Sequence, residues 1–388
     1  MIQTLAVANY RSLRRLVVPL QGLTLITGAN GTGKSNVYRA LRVLAETAQG
    51  GLIATLAREG GLASTLWAGP ESFGRAVKRG EHPVEGTVRQ EPVSLRLGFA
   101  ESDFGYAIDL GLPPQSPPTA FSRDPIIKRE CIWNGPFFRP GALLVDRHGP
   151  ALRMRNEQGA WTQVAVELPT FDSMMARFAD PQGAPEMLLL REKIRSWRFY
   201  DHFRTDTEAP ARIPQIGTHT PVLGHDGADL AAALQTICEI GNVTALDGAV
   251  EDAFPGSKVT IQNQDGRFEV EMRQHGLLRG LKAAELSDGT LRYLLWIAAL
   301  LTPRPPALLV LNEPETSLHP DLLPALARLI ARAAEQTQVL VVSHSAPLIA
   351  AFERSTAGRT IRLIKELGET RVEGQRDLEG PPWSWPAR

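Results

Sequence analysis

LSDGTLRYLLWIAALLTPRPPALLVLNEPE, Leu286 to Glu315, is the stretch from which the rest of the chain is read. It places a small polar turn, Leu286 to Thr290, and a helix through Leu301 directly ahead of an apolar strand, Ala307 to Leu311, which runs into Asn312 and Glu313. Ser287 and the backbone N–H groups around Gly289 lie at a helix N-terminus, where unpaired donors and the aligned peptide dipoles favour an anion. Standing alone, the turn would read as ordinary capping, with Ser287 as N-cap and Asp288 in the first turn.

Upstream, GANGTGKS, Gly28 to Ser35, follows the strand candidate Leu23 to Thr27 and precedes a helix reaching about Ala48. Gly28, Gly31 and Gly33 let the backbone fold back, so that the N–H groups of Gly28, Ala29, Asn30, Gly31, Thr32, Gly33 and Lys34 surround phosphate oxygens. Lys34 would reach the β and γ phosphates, and the Ser35 hydroxyl would ligate Mg²⁺. This is a complete P-loop between the strand and helix it requires. The competing reading is a glycine-rich turn with an exposed lysine.

A carboxylate just beyond a strand of a parallel sheet lies beside such a loop, where it can polarise the water that attacks a γ-phosphate. Glu313 is the general-base candidate. Its alternative is a carboxylate at the N-terminus of a helical segment Glu315 to His319. VLVVSHS, Val339 to Ser345, sets His344 after another buried strand, where it can donate to a γ-phosphate. A lone histidine at a strand end is more often structural.

The 388 residues, 43% of them hydrophobic, suffice for one large domain or two lobes. Zero formal net charge argues against a surface that coats nucleic acid or an anionic membrane throughout, while leaving room for a local basic patch. Cys131 and Cys238 are too few for a disulfide framework and wrongly spaced for a zinc site, so a reducing compartment such as the cytoplasm is expected. Tyr10, Arg11, Arg14 and Arg15 interrupt any secretory apolar segment, and the longest greasy run, Tyr293 to Leu301, falls short of the roughly 20 residues that cross a bilayer. A soluble protein without a membrane partner follows.

Three zones are expected. Residues 1–80 carry the strands Gln3 to Ala8 and Leu16 to Pro19 and the P-loop, as the N-terminal part of an ATPase core. Residues 81–275 form a β-rich and helical middle lobe, with period-2 runs Val93 to Leu97 and Tyr106 to Leu110, a proline-rich loop Leu112 to Pro118, hairpin turns at Glu157 to Gly159 and Asp265-Gly266, and local helices Pro185 to Ser196 and Gly227 to Ile240. Residues 276–388 return to helix alternating with buried strands Leu308 to Leu311 and Val339 to Val342, whose unbroken apolar runs fit parallel strands covered on both faces. The expected fold is α/β, with a mostly parallel sheet flanked by helices and a β-rich lobe. No heptad run long enough for a coiled coil, and no internal repeat, is present.

GANGTGKS, LSDGTLR, LLVLNEPETSLHP and VVSHS occur in the order of Walker A, ABC signature, Walker B with D-loop, and switch histidine. With the opening NYRSLRRL they make the chain resemble a RecF-like AAA/ABC ATPase of the structural-maintenance-of-chromosomes (SMC) superfamily, within the bacterial group of stand-alone ATPases without a coiled coil. The resemblance extends over WRFYDHFRTD, DGADLAAALQTI and PPWSWPAR. It implies that Gly28 to Ser35 bind ATP with Mg²⁺, that Ser287 and Gly289 complete the site across an ATP-dependent homodimer, that Glu313 and His344 act at the γ-phosphate, and that the D-loop is Glu315 to Leu318. DNA and a separate effector protein are the further partners it implies, in DNA repair or phage defence. The family's glutamine loop has no clear match; Gln115 is the candidate.

Asn312 departs from this pattern, which has Asp there to hold the Mg²⁺ water shell. An amide keeps an acceptor oxygen but loses the charge, and losing an outer-shell partner costs about 10 to 100-fold in metal affinity or activity. Slow hydrolysis is expected, or an ATP-gated switch with little turnover, and Asn312→Asp should raise turnover if the missing charge limits it. From Ser35 to Leu286 is 251 positions, more than a transporter ATPase needs. The 44 residues after His344 are too few for an appended nuclease domain. Arg11, Arg14, Arg15 and the aromatic-basic run Arg195 to Arg204 could line a nucleic-acid groove, yet alternation in WRFYDHF also describes a strand with one buried face, which is the stronger reading.

Overall fold

The computed structural model describes residues 1–388 except 75, 76, 78, 80–91, 115–118, 157, 356, 357 and 376–378. Gln115 therefore lies outside the described residues, as do part of the proline-rich loop and Glu157 of the first expected hairpin turn. Two compact units divide the chain: the first is Met1–Gln21, Thr27–Trp197 and Ile361–Arg388, the second Gly22–Ile26 and Arg198–Thr360.

The first unit is built on an eight-stranded sheet. Its strands are β1 (Ile2–Tyr10), β2 (Leu13–Pro19), β4 (Leu95–Glu101), β5 (Phe104–Gly111), β6 (Ile126–Asn134), β7 (Leu143–His148), β8 (Ala151–Arg155) and β9 (Trp161–Gln163). They run in the order β2-β1-β4-β5-β6-β7-β8-β9, and every neighbouring pair is antiparallel. Two-residue connections join β1 to β2, β4 to β5 and β7 to β8, and so short a turn can only return a strand beside itself in the opposite sense. The P-loop helix, Lys34–Gln49, packs on this sheet through Val37, Tyr38, Leu41, Leu44, Ala45 and Ala48, the i, i+3/i+4 face of an amphipathic helix. Gly50 ends that helix in the left-handed conformation, φ 79°, its N–H bonded to Glu46 O. The helix Pro185–Ser196 lies alongside, and its Arg195 Nε donates to Ala48 O at 2.9 Å. A hairpin of β17 (Arg359–Glu366) and β18 (Glu369–Val372), paired over Leu363–Glu366, brings β18 next to β2.

The second unit holds the parallel strands: β10 (Arg198–Tyr200), β15 (Leu308–Asn312), β16 (Gln338–Val342) and the Leu23–Ile26 part of β3 (Leu23–Gly28), in the order β10-β15-β16-β3. β16 is buried throughout and β15 up to Leu311, which explains their unbroken apolar sequences: both faces are covered, so alternation has no role. The signature helix, Asp288–Leu300, is buried from Leu291 to Leu300 and packs with the helices Leu230–Ile240, Val243–Ala253 and Leu323–Ala333. An antiparallel sheet of β11 (Gln215–Ile216), β12 (Lys258–Gln264), β13 (Arg267–Arg273) and β14 (Leu281–Lys282) completes the unit. Its β12-β13 turn is Asp265-Gly266 with φ 52° and 78°, the positive pair a tight hairpin demands.

The sheet content corrects one expectation. The parallel set is four strands, against eight in the antiparallel sheet, so the protein is α/β but not mostly parallel. The unbroken apolar strands beside the motifs are the parallel ones, whereas the larger sheet is antiparallel throughout. In WRFYDHFR the aromatic rings are buried: Trp197, Phe199, Tyr200 and Phe203 are each under 10% exposed, so none offers a ring for a base to stack on, while Asp201, His202 and Arg204 are exposed. No helix among the described residues is long and apolar enough to cross a membrane.

Candidate nucleotide site

The P-loop leaves β3 at Gly28 and enters its helix at Lys34. Gly28, Gly31 and Gly33 have φ of 148°, 80° and 102°, a backbone that side chains oppose. At Gly28 a Cβ would stand 2.4 Å from Leu363 O, and at Gly33 2.1 Å from Thr370 Oγ1, so crowding and conformation both require glycine. Lys34, buried, donates from Nζ to Gly28 O at 2.8 Å and Ala29 O at 3.1 Å, which ties its ammonium across the mouth of the loop. Thr32 Oγ1 donates to Ala29 O at 2.8 Å, while Ala29, Asn30, Gly31 and Ser35 are exposed. A network that the motif does not contain holds the far side. Thr370 Oγ1 donates to Thr32 O at 2.7 Å and lies 2.7 Å from Ser12 Oγ, which accepts from Asn36 Nδ2 at 2.8 Å. Ser12 sits within the quoted NYRSLRRL; nothing in the sequence marks Thr370.

In the second unit, Ser287 is the N-cap of the signature helix, its Oγ accepting from Thr290 N at 3.2 Å. The capping geometry is thus present, at the same helix N-terminus that suits an anion. Arg212 fixes this turn from below. Its guanidinium, only 8% exposed, donates to Thr205 O, Ala283 O and Leu286 O and reaches Asp288 Oδ1 at 2.6 Å. Arg292, one turn into the helix, donates to Thr316 O, Phe203 O and Thr205 Oγ1, each at 3.0 Å. Gly289 faces Ser317 O, so the signature turn and the D-loop of one chain adjoin.

Past β15, Glu313 has φ 50° and Ser317 φ 61°, left-handed conformations that non-glycine residues adopt at a cost and that cluster at functional sites. Glu313 N donates to Val342 O at 2.8 Å, and its Oε1 lies 3.2 Å from His344 Nδ1. General-base and switch candidates are therefore in direct contact. Residues 315–319 form turn and irregular chain with no helix, so Glu313 is not a carboxylate at the start of one. Glu315 has a role the motif did not suggest: its buried Oε1 accepts from Ser343 Oγ at 2.5 Å, His344 N at 3.3 Å and Ser345 N at 3.2 Å, locking the D-loop to the switch loop. Asn312 Nδ2 donates to Asp201 Oδ1 at 2.6 Å, and Asn312 Oδ1 is buried with no hydrogen-bond partner among the described residues. No cluster of three or more His, Cys, Asp or Glu side chains among the described residues is arranged to hold a metal by itself.

Residues 176–351 match the family model described as AAA domain, putative AbiEii toxin, Type IV TA system, and residues 1–65 match the AAA ATPase domain. In three dimensions the chain is similar to an Smc head bound to the C-winged helix domain of ScpA, at 14% identity, covering 96% of this chain and 97% of that one with a TM-score of 0.50. The chain has the SMC-head-like AAA/ABC ATPase fold. The SMC head domain from Thermotoga maritima is also similar, at 16% identity over 96% of this chain and 97% of that one, with a TM-score of 0.44. No curated protein matches the chain. The AAA family models, together with this fold, support ATP binding and hydrolysis as the class of activity.

Proposed function

We propose that the protein binds ATP through Gly28, Ala29, Asn30, Gly31, Thr32, Gly33, Lys34 and Ser35 and hydrolyses it slowly, closing as a homodimer around two nucleotides. The observation that carries this reading is the P-loop itself, with three positive-φ glycines, a helix N-terminus and a buried lysine at its mouth. Ser35 and Asn312 would be the oxygen donors that hold hydrated Mg²⁺, which when bound would neutralise developing phosphate charge. Glu313 takes a proton from the attacking water. His344, 3.2 Å away, orients that carboxylate and senses the γ-phosphate. Ser287 and Gly289 lack a phosphate of their own chain in this scheme and serve the nucleotide of the partner.

A second reading is an ATP-gated switch with little turnover, which the neutral Asn312 favours. The family description naming a putative AbiEii toxin and the Smc head bound to a ScpA domain support a separate protein as partner; a role in DNA repair or phage defence, with DNA as a further ligand, rests on the motif resemblance alone. Glu313→Gln should slow hydrolysis at least 100-fold and accumulate an ATP-dependent dimer, read by light scattering with and without DNA. A monomer at saturating ATP would exclude dimer closure.

A further inference from the structure

We propose that Asp201 supplies, from the neighbouring strand, the negative charge that Asn312 lacks, so that the two side chains act as one divided acceptor toward the hydrated Mg²⁺ of the nucleotide. The proposal rests on the nucleotide-site reading above. β10 and β15 run parallel with Tyr200 opposite Leu311, so the next residues, Asp201 and Asn312, emerge side by side at the carboxyl ends of their strands. In open α/β sheets that edge is where ligands bind. The 2.6 Å contact then fixes the orientation of the amide, because a carboxylate only accepts and must face Nδ2. Oδ1 is thereby turned away from Asp201. It is buried and has no hydrogen-bond partner among the described residues, a state that costs free energy unless a donor arrives. A water of a metal shell is such a donor, and an amide oxygen can accept from it.

Asp201 does more than aim the amide. A charged acceptor on Nδ2–H polarises the group and makes Oδ1 a stronger acceptor. Asp201 is itself exposed. An Asp-Asn pair thus carries the same single negative charge as one Asp, spread over two strands. This reverses the expectation for Asn312→Asp. Two carboxylates at hydrogen-bond distance cannot both stay ionised, so that variant alone gains repulsion rather than function.

The test is the affinity of wild type and variants for a fluorescent, non-hydrolysable ATP analogue, titrated with Mg²⁺ and with EDTA. Asp201→Asn keeps an acceptor for Asn312 Nδ2 and removes only the charge. It should weaken the Mg²⁺-dependent binding about 10 to 100-fold and leave binding in EDTA unchanged. Asn312→Asp should also weaken it, and the double variant D201N/N312D, which exchanges the two groups, should restore it. Unaltered Mg²⁺ dependence in Asp201→Asn, or a double variant as weak as the singles, would overturn the proposal. Wild type that binds no analogue in either buffer would instead overturn the nucleotide-site reading.

Discussion

Gly33 and Gly31 differ in what surrounds them, and the difference is measurable. Both have positive φ, but a Cβ at Gly33 would meet Thr370 Oγ1 at 2.1 Å and Ser12 Oγ at 2.8 Å, whereas at Gly31 nothing lies within 4 Å. Gly31→Ala therefore meets only the backbone cost of the left-handed region, about 1–2 kcal/mol. Gly33→Ala adds overlap with two hydroxyls that anchor the loop. Denaturant unfolding should show Gly33→Ala as the more destabilised by at least about 1 kcal/mol, with ATP-analogue binding lost in that variant and retained in Gly31→Ala. The glycine spacing was legible because positive φ is a local demand of the chain. The steric half of the argument was not, since Ser12 comes from the β1–β2 turn and Thr370 from β18, both distant in sequence.

Among the elements, the signature helix shows how far a motif depends on residues outside it. LSDGT specifies an N-cap, yet what holds the turn in place is Arg212, bonded to the carbonyl oxygens of Thr205, Asp206, Ala283, Ala284 and Leu286 and to Asp288 while almost wholly buried. Removing such a guanidinium leaves several acceptors unpaired. Arg212→Ala should cost roughly 2–4 kcal/mol by denaturant unfolding, and Arg212→Lys should recover only part of it, because an ammonium cannot reproduce the planar fork. An unfolding midpoint equal to wild type in Arg212→Ala would show that the turn holds itself. No signal marks Arg212 in the sequence, where it follows Pro210-Ala211 as an ordinary loop residue.

Across the molecule, the two units draw on different rules. In the second unit β15 and β16 were legible as unbroken apolar runs, because the positions of both faces are buried. The first is an antiparallel sheet with a polar knot at its centre: Glu130 and Arg147, both fully buried, pair at 3.2 Å, and Glu130 also accepts from Tyr106 Oη at 2.7 Å, Ser173 Oγ at 2.5 Å and Met174 N at 2.9 Å. Arg147 reaches Gly149 O, Asp172 O and Pro169 O, fastening residues 169–174 to the sheet. Glu130→Ala leaves an uncompensated buried cation and should cost about 3–5 kcal/mol, seen as a lowered unfolding midpoint. A smaller loss in a Glu130→Met, Arg147→Met double variant would confirm that the stranded charge, and not the pair, sets that cost.

The P-loop, the buried strands β15 and β16 and the Asp265-Gly266 hairpin turn follow from residues that are neighbours along the chain, where φ preference, helix termini and apolar runs act within a few positions. The character of Asn312 does not. Asp201 stands 111 positions away and reaches it only because β10 pairs with β15 in one register. A residue reads as a defect or as half of a pair according to what a distant strand places beside it, and strand register is set by packing of the whole sheet.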